Sequence, residues 1–259
     1  MSLSPRNLFP RSLSPRRLAL AAAAIVLALA AALALRDGRP PLVFEDRADL
    51  PGFRNLVLSS KEASGGGATA LAPPPEASAR PALPEDACAA LFGDAADPRL
   101  GTGAPLVVFF TDYRCPYCRE MGKLLMKRAA ADRITLVFKE WPILGPQSQT
   151  AARAALAAAR QGGFLKAHER LTVSPFVPNA AYARDLARWY GLDPSRMAAD
   201  FDGPEIADQL ERTDDLARAL GLGGVPGLVV GRTVALRSVD EDRLDALIEA
   251  ERDLGPPSC

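Results

Sequence analysis

The sequence predicts an α/β fold, and three observations carry that reading. Two apolar, β-prone runs at 106–110 and 134–138 bracket a stretch with helical spacing. A long helical block follows over about 146–221, and the chain then returns to β character at 227–231 and 233–236 before a last helix. The composition fits one domain with appendages: 259 residues, 48% apolar and 24% charged, with 31 acidic against 31 basic residues. That even charge argues against a nucleic-acid partner. A single His excludes a multi-His metal centre.

Taken in order, the chain opens on Arg6, Arg11, Arg16 and Arg17, followed by an uncharged apolar run at 18–35. At 1.5 Å per residue the run spans roughly 27 Å, close to the hydrocarbon thickness of a bilayer. Residues 1–17 therefore read as a cytoplasmic basic segment and 18–35 as a transmembrane anchor. The positive-inside bias then delivers the rest of the chain to the outer side of a cytoplasmic membrane. The alternative is a cleaved signal, for which Ala32-Leu33-Ala34 offers a processing site. Residues 36–85 read as a juxtamembrane segment and a disordered linker rich in Gly, Pro, Ala and Ser, with Gly65-Gly66-Gly67 and Pro73-Pro74-Pro75 inside it. The short apolar stretches at 42–44 and 56–58 have no sustained period and receive no role. The folded domain is placed at 86–259.

Within it, 106–110 is continuously apolar, as expected of a central strand buried on both faces. Directly after it comes Cys115-Pro116-Tyr117-Cys118, and then Met121, Leu124, Leu125 and Arg128 recur at helical spacing. The Cys pair thus sits at a strand-to-helix junction. A Cys at the first turn of a helix meets unpaired backbone N–H groups and the positive end of the dipole, which favour thiolate over thiol. Pro116 suits that turn, where its missing N–H costs nothing. Lowering a thiol pKa from about 8.5 to about 5 corresponds to roughly 4.8 kcal/mol of thiolate stabilisation. Because that stabilises the reduced form, it makes the disulfide more oxidising. Two plainer readings of the pair are a structural disulfide and half of a zinc site completed by Cys88 and Cys259.

The run 134–138 reads as a second buried strand closing a β-α-β crossover. In the helical block, Asn179 is an N-cap, Gly191 follows a helix, and Asp193-Pro194 and Gly203-Pro204 open two more. Ala151, Ala155, Leu156 and Ala159 form a small-residue face. The last helix is expected to open at a capping box, Ser238-Val239-Asp240-Glu241, and to bury Leu244, Leu247 and Ile248.

This order resembles a thioredoxin fold with an inserted α-helical subdomain, the architecture of the DsbA-type thiol-disulfide oxidoreductases. Three stretches carry the resemblance: Phe110 to Cys118, Lys139-Glu140-Trp141-Pro142-Ile143-Leu144-Gly145-Pro146-Gln147-Ser148 through His168, and Gly224-Val225-Pro226. The resemblance implies that Cys115 is the exposed nucleophile and Cys118 its buried resolving partner. It also implies that Pro226 is a cis-proline and that Val225 offers its backbone to an extended client, with Pro116 and Tyr117 completing the active-site loop. Two departures stand out. Phe109 occupies the position where many relatives carry a buried acid, and the Pro116-Tyr117 dipeptide lacks the His of the most oxidising members.

The remaining polar residues read as follows. Glu140 is a candidate for proton transfer to Cys118, with Lys139 and Glu140 alternatively a solvated pair. His168 reads as a packing or surface residue. Asp112 and Tyr113 set the conformation of the loop, and Tyr117 and Trp141 form an apolar lip for clients unless Trp141 is core. Cys88 and Cys259 bracket the domain and are a candidate second disulfide in an oxidising compartment. The function expected is disulfide exchange with client proteins, as an oxidase served by a membrane or periplasmic redox partner, with no cofactor and no metal. The alternatives are a reductase or isomerase kept reduced by a membrane electron donor and, in another class, a thiolate metal carrier.

Overall fold

The computed structural model describes residues 42–58, 81–174, 178–236 and 239–255. The apolar run at 18–35 and Cys259 lie outside the described residues. Among the described residues no helix is long and apolar enough to cross a membrane.

Among the described residues seven strands form: β1 (Val43–Asp46), β2 (Arg54–Val57), β3 (Arg99–Leu100), β4 (Leu106–Thr111), β5 (Thr135–Glu140), β6 (Gly227–Val230) and β7 (Thr233–Ala235). They form one sheet in the order β1-β2-β7-β6-β4-β5-β3. β4 lies inside the sheet because its apolar residues have to be covered on both faces, and Val107, Val108, Phe109 and Phe110 are fully buried. It pairs in parallel with β5, setting Thr111 against Glu140, and antiparallel with β6, setting Phe110 against Gly227. These two registers bring the ends of β4, β5 and β6 to one place. The peptide bonds before Pro105 and Pro226 are cis.

Among the described residues the α-helices follow the predicted pattern: α1 (Pro116–Ala130), α2 (Pro146–Ala159), α3 (Phe164–Val173), α4 (Ala180–Tyr190), α5 (Pro194–Asp202), α6 (Pro204–Leu220) and α7 (Glu241–Leu254). Their ends are set by local chemistry. Asn179 accepts from the Tyr182 N–H, and Asp193 accepts from the N–H groups of Ser195 and Arg196. Gly191 and Gly221 close α4 and α6 at φ of 72° and 79°, a left-handed conformation that favours glycine. Asp240 is the N-cap of α7 and accepts from the Arg243 N–H, so the helix starts at Glu241; Ser238 of the expected capping box lies outside the described residues. Leu244, Leu247 and Ile248 are buried.

Two expectations are corrected here. Residues 42–58, placed from sequence in the juxtamembrane segment outside the folded domain and given no role, form the β1–β2 hairpin, and β2 adds in parallel to β7. Its Leu50, Phe53 and Leu56 belong to the main core. The reason is chemical as well as apolar: Arg54 donates to Glu251 on α7 at 2.7 Å, and Arg47 donates to the Leu220 carbonyl at 2.6 Å. Lys139 is likewise no solvated partner of Glu140. Successive strand residues point to opposite faces, so Lys139 turns away from Glu140 and pairs, buried, with Asp97 while donating to the Ala90 carbonyl at 2.7 Å.

Candidate active site

The site is built where β4 hands over to α1. Strand β4 ends at Thr111, and Asp112 then folds the connection: one carboxylate oxygen accepts from the Arg114 N–H at 2.7 Å and the other from the Leu144 N–H at 3.0 Å. This holds the active-site turn against the loop after β5. Cys115 is the N-cap of α1 and Pro116 its first residue. The Cys118 N–H donates to the Cys115 Sγ at 3.0 Å, so the sulfur occupies the place of a capping oxygen. Cys115 and Cys118 are joined as a disulfide with their Cα atoms 5.2 Å apart.

The loop before β6 approaches from the other side. The carbonyl oxygen of Val225, ahead of the cis bond to Pro226, lies 3.7 Å from the Cys115 Sγ. The structure thus brings Cys115, Cys118, Val225 and Pro226 together. One expectation is corrected: Cys115 is not exposed. It is 2% accessible and Cys118 3%, because the capping position draws the sulfur inward over the helix amides and against the Val225 carbonyl. Access is instead through a cleft of about 340 Å³ whose lining includes Cys115, Cys118, Gly122, Met126 and Val173. Pro116 and Tyr117 are exposed at the surface of the same turn. Trp141 is core rather than lip: it is buried against Phe110 and its indole N–H donates to Asp214 at 2.8 Å.

Behind the sulfurs lies a polar group that sequence reading did not assemble. The Tyr113 hydroxyl donates to Glu140 Oε1 at 2.8 Å and lies 2.9 Å from His168 Nδ1. All three residues are buried. Burial, with a smaller contribution from the Asp112 charge, pushes the Glu140 carboxyl up to about 8 against the opposing hydrogen bond from Tyr113. Burial alone brings His168 down to about 4. The Tyr113 hydroxyl is raised well above its ordinary value by burial and by the Glu140 charge. His168 packs between Phe138, Phe164 and Tyr113. Its spacing with Phe164 and Leu171 on one face of α3 was a sequence signal for burial, though not for this partner.

Cys88 is disulfide-bonded, and the described residues contain no free cysteine. The expected pairing with Cys259 lies outside the described residues. Among the described residues no group of three or more His, Cys, Asp or Glu could hold a metal ion.

A disulfide at the first turn of a helix, beside a cis-proline loop on a thioredoxin-like sheet, defines a thiol-disulfide oxidoreductase. The chain belongs to the DSBA-like thioredoxin domain family, whose model matches residues 106–250. Among solved structures it is similar to a thioredoxin-like oxidoreductase from Silicibacter pomeroyi, at 36% identity and a TM-score of 0.58 over 64% of this chain and 97% of that one. It is also similar to a periplasmic thioredoxin-like protein from Salmonella enterica, at 28% identity and a TM-score of 0.56 over 65% and 97%. In sequence it is 30% identical over 148 residues to the Na(+)/H(+) antiporter NhaA of Herminiimonas arsenicoxydans. That match takes in 56% of this chain and spans only 24% of the antiporter's length.

Proposed function

We propose that this oxidoreductase works as an oxidase of client proteins on the periplasmic side of a bacterial inner membrane, tethered by the segment at 18–35. The observation that carries the reading is the capping of Cys115. A thiolate at this position is favoured by the Cys118 N–H and the helix dipole, which makes the reduced form stable and the disulfide oxidising. The basic residues before the apolar run support the location, as does the likeness to a periplasmic protein.

In the forward direction a client thiolate attacks the Cys115 Sγ. The S–S bond breaks, its electron pair leaves on Cys118, and a mixed disulfide forms between the client and Cys115. The Val225 backbone beside the sulfur offers an edge against which an extended client segment pairs. A second client thiolate then attacks the client sulfur of the mixed disulfide and releases Cys115 as a thiolate. The client has lost two electrons and the Cys pair has gained them, so a membrane or periplasmic redox partner has to reoxidise the pair.

Equilibration of the Cys115/Cys118 pair with glutathione tests the direction. A potential less negative than about −180 mV supports an oxidase, whereas one below about −250 mV identifies a reductant and overturns the proposal.

A further inference from the structure

We propose that Glu140, Tyr113 and His168 form a proton relay that returns a proton to Cys118 when the disulfide opens. The inference rests on the exchange reading above and deepens it: when a client opens the disulfide, the Cys118 sulfur leaves as an anion in a site only 3% accessible. A buried anion without a counter-charge is costly, and the fully buried Phe109 of β4 offers no ionisable group.

The geometry supplies a substitute. Tyr113 bridges Glu140 and His168 through contacts of 2.8 and 2.9 Å. Tyr113 and His168 line the same cleft as Cys115 and Cys118, which at about 340 Å³ has room for water. Glu140 does not line it and stands behind Tyr113. Its second oxygen, Oε2, is buried without a hydrogen-bond partner, a setting that suits a neutral carboxyl better than a carboxylate.

The chain of contacts has two proton arrangements. With Glu140 neutral, its proton is donated to the Tyr113 oxygen, Tyr113 donates to His168 Nδ1, and the imidazole proton sits on Nε2. With Glu140 ionised, Tyr113 donates to Glu140, His168 donates from Nδ1 to Tyr113, and Nε2 is bare. Passing from the first to the second releases one proton at the imidazole. Water in the cleft carries it to the Cys118 thiolate, so the sum is a Glu140 carboxyl and a Cys118 thiolate giving a carboxylate and a thiol. Reoxidation runs the transfer backward. The three residues act on the sulfur through the cleft and are positioning residues in that sense.

The charged neighbours leave the relay intact. Asp112 adds a like charge that favours the neutral carboxyl. Lys139 faces the other side of the sheet and is held by Asp97. Arg119, Lys123 and Glu169 line the same cleft as His168.

The test is single-turnover reaction of the oxidised full chain with a small dithiol, quenched in acid, with the Cys118 thiol counted by alkylation. Rates are divided by the thiolate fraction of the attacking dithiol. The wild-type rate is expected to fall about tenfold per pH unit above about 8, as the carboxyl that supplies the proton ionises. Glu140→Gln and the near-isosteric Tyr113→Phe should each slow the reaction below that pH and flatten the fall. Because the two act in series, the double variant should be no slower than the slower single one. An unchanged profile in either variant, or losses that multiply in the double variant, overturns the relay. Failure of the wild type to release any Cys118 thiol would instead overturn the exchange reading on which it rests.

Discussion

The Cys118 N–H donates to the Cys115 Sγ at 3.0 Å, so the two halves of the redox pair also stand as cap and capped amide of helix α1. The sulfur that is attacked and the amide that stabilises it after release belong to one turn. Replacing Cys115 by Ser keeps a capping oxygen but removes the sulfur, so disulfide transfer should fall to the uncatalysed background while the fold persists. In Cys118→Ser the free Cys115 thiolate should still attack a client disulfide and accumulate stable mixed disulfides, because no second thiol is left to resolve them. Gel analysis after alkylation distinguishes the two outcomes, and transfer activity in Cys115→Ser contradicts the assignment of the nucleophile.

The buried Lys139–Asp97 pair makes a separate prediction about stability. Burial pushes the Asp97 carboxyl up while Lys139 pulls it down, and Gln209 donates to the same carboxylate at 3.3 Å. Lys139→Met leaves that carboxylate buried and unmatched, which should cost about 3–5 kcal/mol. The double change with Asp97→Leu should recover most of the loss. Urea unfolding of the three chains measures it, and a loss under 1 kcal/mol for the single variant would contradict the pairing.

The β1–β2 hairpin should behave as part of the domain. Glu251, fully buried, accepts from Arg54, from the Thr233 hydroxyl at 2.6 Å and from the Arg232 N–H at 2.9 Å. Each well-buried apolar side chain of the hairpin adds about 1.5–3 kcal/mol. A chain starting at residue 81 should therefore melt about 10 °C or more below one starting at residue 42. Equal melting temperatures would place 42–58 outside the folded domain.

Stability should also depend on pH in a defined way. The Glu140 carboxyl is raised in the fold to about 8, so the folded chain holds a proton that the unfolded chain has lost. Its contribution is fully present below the unfolded value of 4.5 and is lost as pH rises through about 8. His168 is lowered to about 4, so its contribution is present above its unfolded value of 6.5 and is lost as pH falls through about 4. Between about 4.5 and 6.5 the two slopes oppose each other. From 6.5 to 8 only the Glu140 slope remains, so stability should fall by up to about 1.4 kcal/mol per pH unit. Glu140→Gln should abolish that fall, and denaturant midpoints across the range measure it. An undiminished slope in the variant would assign the dependence to other groups.

Much of this architecture was legible in the sequence because its signals are local. The doubly buried strand β4 reads as an unbroken apolar run, and the caps at Asn179 and Asp193 act within three residues. The hairpin was not legible: β1 has no buried residue and β2 has one, so neither strand shows an apolar period, and its partners lie far along the chain. The same distance hid the polar group behind the disulfide. Tyr113 and His168 are separated by 55 residues and meet because Phe164 and His168 of α3 pack against Phe138 of β5. The lowered accessibility of Cys115 was equally out of reach, since the Val225 carbonyl that approaches it comes from 110 residues away.

The exchange chemistry depends most directly on the acidity of one sulfur. Titration of the reduced chain by thiolate ultraviolet absorbance, with Cys118→Ser used to isolate residue 115, should give a midpoint in the range of about 3.5–7.5 found at helix N-termini. A midpoint at about 8.5, the value of an ordinary cysteine, would contradict it.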